Sequence, residues 1–220
     1  MNELLEARKS VLKEITSEDQ GARVKFLNVF NKEVKNFSDS MGAALLAWQG
    51  FDKKIGQNKN KGLVSALMFT TISLHIQSFK LFLSGHPVLA GNAQRQVVES
   101  IALTLLCSSH DLDVLNRFKE DKYLTYRAVA DVEKHCSVVG LSQGGASYFS
   151  KLKRFYNKYS HPTLLTLTSM VSFSGDGISF YAYFDEGKLD SYEKEINGRV
   201  ELANTFVDFI ETVKTNVSKW

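Results

Sequence analysis

Arg154 and His161 stand seven residues apart in the stretch RFYNKYSHPT, at the end of a segment rich in lysine and aromatic residues. If the chain from Ser147 onward is helical, Arg154, Asn157 and His161 occupy i, i+3 and i+7, and at about 100° per residue they fall on one side. Such a pair suits cleavage of an RNA phosphodiester. A histidine that titrates near neutrality can take the proton of a ribose 2′-hydroxyl, while a permanently charged guanidinium holds the phosphate oxygens. That chemistry calls for no metal and no cofactor. Lys151, Lys153 and Lys158 alternate with Phe149, Phe155, Tyr156 and Tyr159, a mixture suited to contacting a backbone and stacking bases. The same residues also fit a plainer arrangement: aromatics in the core, lysines in solvent, and His161 bonded to a neighbouring carbonyl. Pro162 biases His161 away from helical geometry, which places it on the last turn or just beyond.

A second constellation lies in QRQVVESIALTLLC. Val97, Val98, Ile101, Ala102, Leu103, Leu105 and Leu106 occupy nearly the whole circumference of a helix, so this helix should be buried on most sides. Arg95 and Glu99 are the exceptions. They are one turn apart with the basic residue first, the less favourable order for an exposed helical ion pair. Charged groups held in an apolar environment are costly unless paired, so they either bond each other and a nearby backbone group or line a pocket. Elsewhere the chemistry is thinner. His110, Asp111 and Asp113 lack the helical spacing of a metal site in a bundle, and a helix cap is the simpler role for either aspartate. His75, on an apolar helix, reads as a hydrogen-bonded core histidine. No phosphate-cradling glycine motif or dinucleotide fingerprint is present.

The elements that must position these groups are helical. Of 220 residues, 44% are hydrophobic and 23% charged, and the two prolines are Pro87 and Pro162, so few points force a helix to stop. The net charge of +3 is too small to argue by itself for a nucleic-acid partner. Cys107 and Cys136 lie outside any CxxC spacing and read as buried thiols of a reducing cytoplasm. The N-terminus is charged from Glu3 and has no apolar core, which excludes a secretory signal and points to a cytoplasmic protein. Residues 62–79 carry no formal charge, yet serine, threonine, histidine and glutamine interrupt them as in the central helix of a soluble bundle, so no membrane span is expected.

One domain is expected. Residues 1–60 supply N-terminal helices: one over 2–15, one starting after a Ser or Asp cap at 17–19 and running at least to Asn36, and a further piece over 41–51. Residues 61–162 supply the central helices, over 62–83 and 87–107, then shorter ones near 113–119 and 122–139, and the Arg154 helix with Ser147 as its cap. Residues 163–187 alternate β-branched and aromatic side chains on either side of Ser174-Gly175-Asp176-Gly177, which predicts a β-hairpin. Residues 188–220 form a long amphipathic helix, capped by Asp190 and Glu193, in which Ile196, Val200, Ala203, Phe206, Ile210, Val213 and Val217 share a face. The predicted fold is mostly α, a helical bundle with a small β-hairpin inserted before the C-terminal helix.

Arg154-x6-His161 late in a helical domain, with Asn157 between, resembles the Arg-x4-6-His motif of the HEPN superfamily. Arg95-x3-Glu99 on a central helix, followed far downstream by Tyr159-Ser160-His161, is similar to a group of uncharacterised bacterial HEPN-related proteins. The likeness spans about residues 63–162. It implies a helical bundle, often homodimeric, in which the Arg and His of two chains gather at a shared cleft. Active members are metal-independent RNases of toxin–antitoxin and phage-defence systems, so RNA and an antitoxin are the implied partners. By that likeness Arg154 holds phosphate, His161 is the base and Asn157 orients them, with Lys158, Tyr159, Arg95 and Glu99 in supporting or substrate-binding places. The alternative is a non-catalytic helical binding or interaction protein. Arg154 and His161 facing solvent in a cleft, preferably opposite the same residues of a second chain, would favour the enzyme; burial and full bonding of both within one chain would favour the alternative.

Overall fold

The computed structural model describes residues 2–16, 18–175 and 182–220, and the described residues are built of helices joined by short turns. At the centre lie α4 (Lys59–Leu83) and α5 (Pro87–Ser108), which form the most extensive helix pair. Asn58 caps α4 by accepting from the amides of Asn60 and Lys61. Pro87 opens α5 at the position where its missing N–H costs nothing. Between them the chain turns at Gly85, φ 84°, where a Cβ would lie 2.8 Å from the Tyr183 amide nitrogen. α4 is the one described helix long and apolar enough to cross a bilayer, and its Val64, Met68, Ile72, Phe79 and Phe82 are core residues of the bundle.

The other helices wrap this pair. α3 (Asn31–Asp52) packs on α4, α10 (Leu189–Asn204) and α11 (Phe206–Val217), while α5 is flanked by α11, α7 (Ala128–Lys134) and α8 (Gln143–Tyr156). α1 (Asn2–Thr16), α2 (Gln20–Val29), α6 (Val114–Lys119) and α9 (Leu164–Met170) complete the set. As predicted, Val97, Val98, Ile101, Ala102, Leu103, Leu105 and Leu106 of α5 are all buried.

Several boundaries differ from the sequence reading. The second helix breaks at Phe30, whose φ of −111° and ψ of 31° are not helical, and α3 then runs without interruption through the piece expected at 41–51. Burial of Phe26, Phe30 and Phe37 in one core decides that break. Asp19 does not cap α2 with its side chain; its carboxylate meets His86 Nε2 at 2.8 Å. Ser142, not Ser147, caps α8, by accepting from the Gly145 amide. The long C-terminal helix is two helices meeting at Thr205, and neither Asp190 nor Glu193 caps it. Six of the seven residues predicted for its apolar face are buried, Val200 being half-buried. Both cysteines are free; Cys107 is buried, which pushes its thiol up to about 12, and Cys136 is half-buried.

The predicted β-hairpin is the main correction. Residues 164–170, within the 163–187 stretch read as the hairpin, form α9, and there is no strand among the described residues. Residues 176–181, which include Asp176 and Gly177, lie outside the described residues. Local bonding overrides the alternating pattern: Thr163 and Thr166 make a reciprocal capping box, and Thr168 Oγ1 donates back to the Leu164 carbonyl. Downstream, the Asp185 carboxylate takes up the amides of Phe173, Ser174 and Gly187, donors that a strand ladder would otherwise pair.

Inside the bundle runs a buried polar chain. His75 is stacked against Phe206 with ring centroids 5.0 Å apart and lies as close to Phe37. Its Nε2 sits 3.1 Å from the Arg199 carbonyl and its Nδ1 3.1 Å from the Gln94 side-chain amide. Burial drives its pKa down to about 3, so the ring is neutral. Nε2 faces only a carbonyl and therefore carries the proton, so Nδ1 can only accept; the Gln94 side chain, whose Oε1 faces Nδ1, pairs with it once the amide is turned to present its nitrogen. Ser78, which also meets Gln94 at 2.8 Å, donates to the Ala90 carbonyl.

The depressed His75 pKa fixes a sign. Between about 6.5 and about 3 the unfolded chain binds a proton here that the folded chain refuses, so this contribution is complete above pH 6.5 and is lost as the solution is acidified. Urea denaturation at pH 7 and pH 5 should show a loss of about 2 kcal/mol from this residue, and His75→Gln should remove that part of the pH dependence.

Candidate functional site

α8 is amphipathic: Ala146, Phe149 and Tyr156 are buried while Lys151 and Arg154 face solvent. The α-helix stops at Tyr156, and Asn157–Tyr159 form a single 3₁₀ turn. Ser160 and His161 follow outside any helix, before Pro162 and the Thr163 cap of α9. The uninterrupted helix that would have set Arg154, Asn157 and His161 at one angular position is therefore absent. The bias that proline exerts on the residue before it acts as expected on His161.

What replaces the helix is a strap bonded down on both sides. Arg95 on α5 donates from Nε to Glu99 Oε1 at 3.1 Å and from Nη1 to Ser160 Oγ at 2.8 Å. Asn92, one turn earlier, donates to the Tyr159 carbonyl at 3.1 Å. Lys153 approaches Glu99 at 3.8 Å and donates to the Tyr126 carbonyl. On the far side Thr163 Oγ1 donates to the Lys158 carbonyl, and Thr166 Oγ1 reaches the His161 carbonyl. Of the two outcomes open for Arg95 and Glu99, the structure shows mutual pairing, extended to a serine hydroxyl rather than a backbone group.

Beneath the strap, Tyr159 lies on α5 at Gly91. A Cβ at that glycine would stand 2.3 Å from the tyrosine ring, so only glycine permits the approach. The Tyr159 hydroxyl donates to Glu195 Oε1 at 2.8 Å, and Glu195 Oε2 accepts from Arg199 Nη1 at 2.5 Å. Arg199 is fully buried, with its guanidinium 4.7 Å from the Phe82 ring centre and 5.7 Å from that of Tyr156. Burial raises the phenols of Tyr156 and Tyr159 well above the ordinary tyrosine range, and the Glu195 charge adds to this. Both hydroxyls stay protonated as donors.

These placements sort the candidate residues. Arg154 and His161 are exposed, and neither side chain has a hydrogen-bond or ion-pair partner among the described residues. Lys158 is exposed as well. Tyr159 is buried and its hydroxyl is engaged, so it does not offer a stacking face; Phe149 and Tyr156 are buried too, leaving Phe155 as the exposed aromatic of the segment. Asn157 does not orient Arg154 or His161: its Oδ1 is buried and has no partner among the described residues. Arg95 and Glu99 hold the strap rather than line an empty pocket. Among the described residues no three His, Cys, Asp or Glu side chains gather as a metal site; Asp113 stands at the cap position of α6 but makes no capping bond with its side chain, which accepts from Asn116 Nδ2 instead.

Sequence reasoning passed over Asn92, Glu195 and Arg199. Glu195 precedes Arg199 by four residues, the favourable order for a helical ion pair, on a helix whose apolar face was legible. That Arg199 lies at the buried edge of that face follows from tertiary packing alone. Comparison with known families, curated proteins and solved structures finds no match for this chain.

Because the strap rests on a glycine contact, Gly91→Ala must lift Tyr159. Overpacking of this kind costs about 1–3 kcal/mol, and the variant should unfold correspondingly earlier in urea. Amide exchange over residues 157–161 should accelerate more than exchange elsewhere.

Proposed function

We propose that the protein is a metal-independent endoribonuclease in which His161 removes the ribose 2′-hydroxyl proton and Arg154 clamps the scissile phosphate. The observation that carries this reading is the contrast within one short segment. Asn92, Arg95, Ser160 and Tyr159 are engaged with one another or with Glu99 and Glu195, while the imidazole of His161 and the guanidinium of Arg154 are exposed and without a partner among the described residues. Groups that serve only stability are expected to be bonded; a base and a clamp must be free to meet substrate. The backbone that carries the imidazole is held through Ser160 and Tyr159, which limits the conformations it must lose on binding.

The likeness to HEPN proteins supports the same chemistry through Arg154-x6-His161. On that reading two copies of the chain bring their Arg154 and His161 side chains to one cleft, and Lys158 adds a cation at its edge. A toxin or phage-defence role in the cytoplasm, with an antitoxin as partner, belongs to the same proposal.

Incubating the purified protein with mixed RNA in the presence of a chelator tests it. Cleavage is expected from the unaltered protein, reduced about 10²-fold or more in His161→Ala. Arg154→Ala should lose activity while keeping the same urea midpoint, because its side chain has no partner among the described residues. Absence of cleavage by the unaltered protein would leave a non-catalytic helical binding module as the better description.

A further inference from the structure

A second polar feature lies apart from the strap. α6, the 3₁₀ turn Thr125–Arg127 and α7 enclose an open cavity of about 360 Å³. Four full cations line it, Arg117, Lys122, Arg127 and Lys134, against two carboxylates, Asp113 and Asp131. His135 completes the polar wall, and Leu106, Leu112 and Val114 supply an apolar part.

The pairing within this cleft is unusual. Arg127, at the end of the 3₁₀ turn, and Asp131 on α7 are four residues apart with the basic residue first, the less favourable order, and no ion pair joins them among the described residues. Instead Asp131 Oδ2 accepts from the hydroxyl of buried Tyr123 at 2.8 Å. Asp113 Oδ1 accepts from Asn116 Nδ2 at 2.8 Å, and Lys122 pairs outward with Glu120 at 2.7 Å. Arg117, whose guanidinium carbon stands 5.6 Å from the Tyr123 ring centre, Arg127 and Lys134 make no ion pair or side-chain hydrogen bond among the described residues. Three cations without an ion pair thus line one concavity, and with Lys122 they outnumber its two carboxylates, each of which is hydrogen-bonded to a neutral donor.

We propose that this cleft binds an organic phosphate monoester, with the phosphoryl group on Arg117, Arg127 and Lys134 and its body against the apolar wall. Forked guanidinium donors match phosphate oxygens. The volume lies in the range of small-ligand sites, and a floor of Leu106, Leu112 and Val114 favours an apolar or planar body over a free inorganic ion. The inference is independent of the nuclease reading, since none of its residues belongs to the strap.

Phenyl phosphate, inorganic phosphate and phenol, titrated calorimetrically into the full-length protein, test it. Phenyl phosphate should bind saturably, inorganic phosphate about tenfold or more weakly, and phenol not measurably. Arg117→Ala/Arg127→Ala should weaken phenyl phosphate binding about tenfold or more, and His161→Ala should leave it unchanged. Lys134→Glu, at the far end of α7 from Arg127, gives the same test should the double variant fail to fold. Absence of saturable phenyl phosphate binding, equal binding of phenol, or unchanged affinity in the folded variants would overturn the proposal. So would binding of an RNA oligonucleotide or an acidic peptide at these residues without phenyl phosphate.

Discussion

The fully buried guanidinium of Arg199 is the constraint around which the interior is arranged. A charge in that position is tolerated only when it is paired, and Glu195, one turn away on the same helix, supplies the pair. The carboxylate then reaches outward to Tyr159, while the backbone carbonyl of Arg199 reaches inward to His75. One helical turn of α10 therefore joins the central hairpin of α4 and α5 to the segment that carries His161. The pairing does not imply a large gain in stability, because desolvating two charges offsets much of their attraction. What it does provide is a unique register: a shifted α10 would leave a charge and several hydrogen-bonding groups unsatisfied at once.

That register explains why the strap at Tyr159–His161 holds its place although it is neither helix nor strand. Asn92 bonds the Tyr159 carbonyl and Arg95 the Ser160 hydroxyl on one side, and the Thr163 and Thr166 hydroxyls bond the Lys158 and His161 carbonyls on the other. Its aromatic anchor fits only because residue 91 has no side chain. The imidazole projects from this base, and the Arg154 guanidinium from the last turn of α8, without side-chain partners among the described residues. A rigid support with uncommitted reactive groups is the arrangement expected of a site, in contrast to His75, whose two nitrogens are both used and whose neutrality is enforced by burial.

Much of this was legible in the sequence, for identifiable reasons. The apolar circumference of α5 and the 3.6-residue period of the C-terminal segment announced helices, and Pro87 marked where α5 begins, because such patterns reflect burial on a scale that tertiary contacts rarely reverse. His75 declared itself by its apolar surroundings. The hairpin failed because period-2 alternation over a few residues competes with local bonding, and a threonine at positions 163 and 166 can cap a helix as readily as it can line a strand. The break at Phe30 was hidden because aromatic residues on either side keep the helical spacing. The Arg95–Ser160 bond and the Glu195–Tyr159 bond join residues 65 and 36 positions apart, and no local pattern carries such information.

The central claim is that Glu195 anchors the His161-bearing strap through Tyr159. A double-mutant cycle of Tyr159→Phe and Glu195→Gln, read as urea unfolding free energies, measures that link directly. A coupling of about 1 kcal/mol or more between the two substitutions is predicted. Additivity to within a few tenths of a kcal/mol would show that the strap is held by other contacts and would contradict the account.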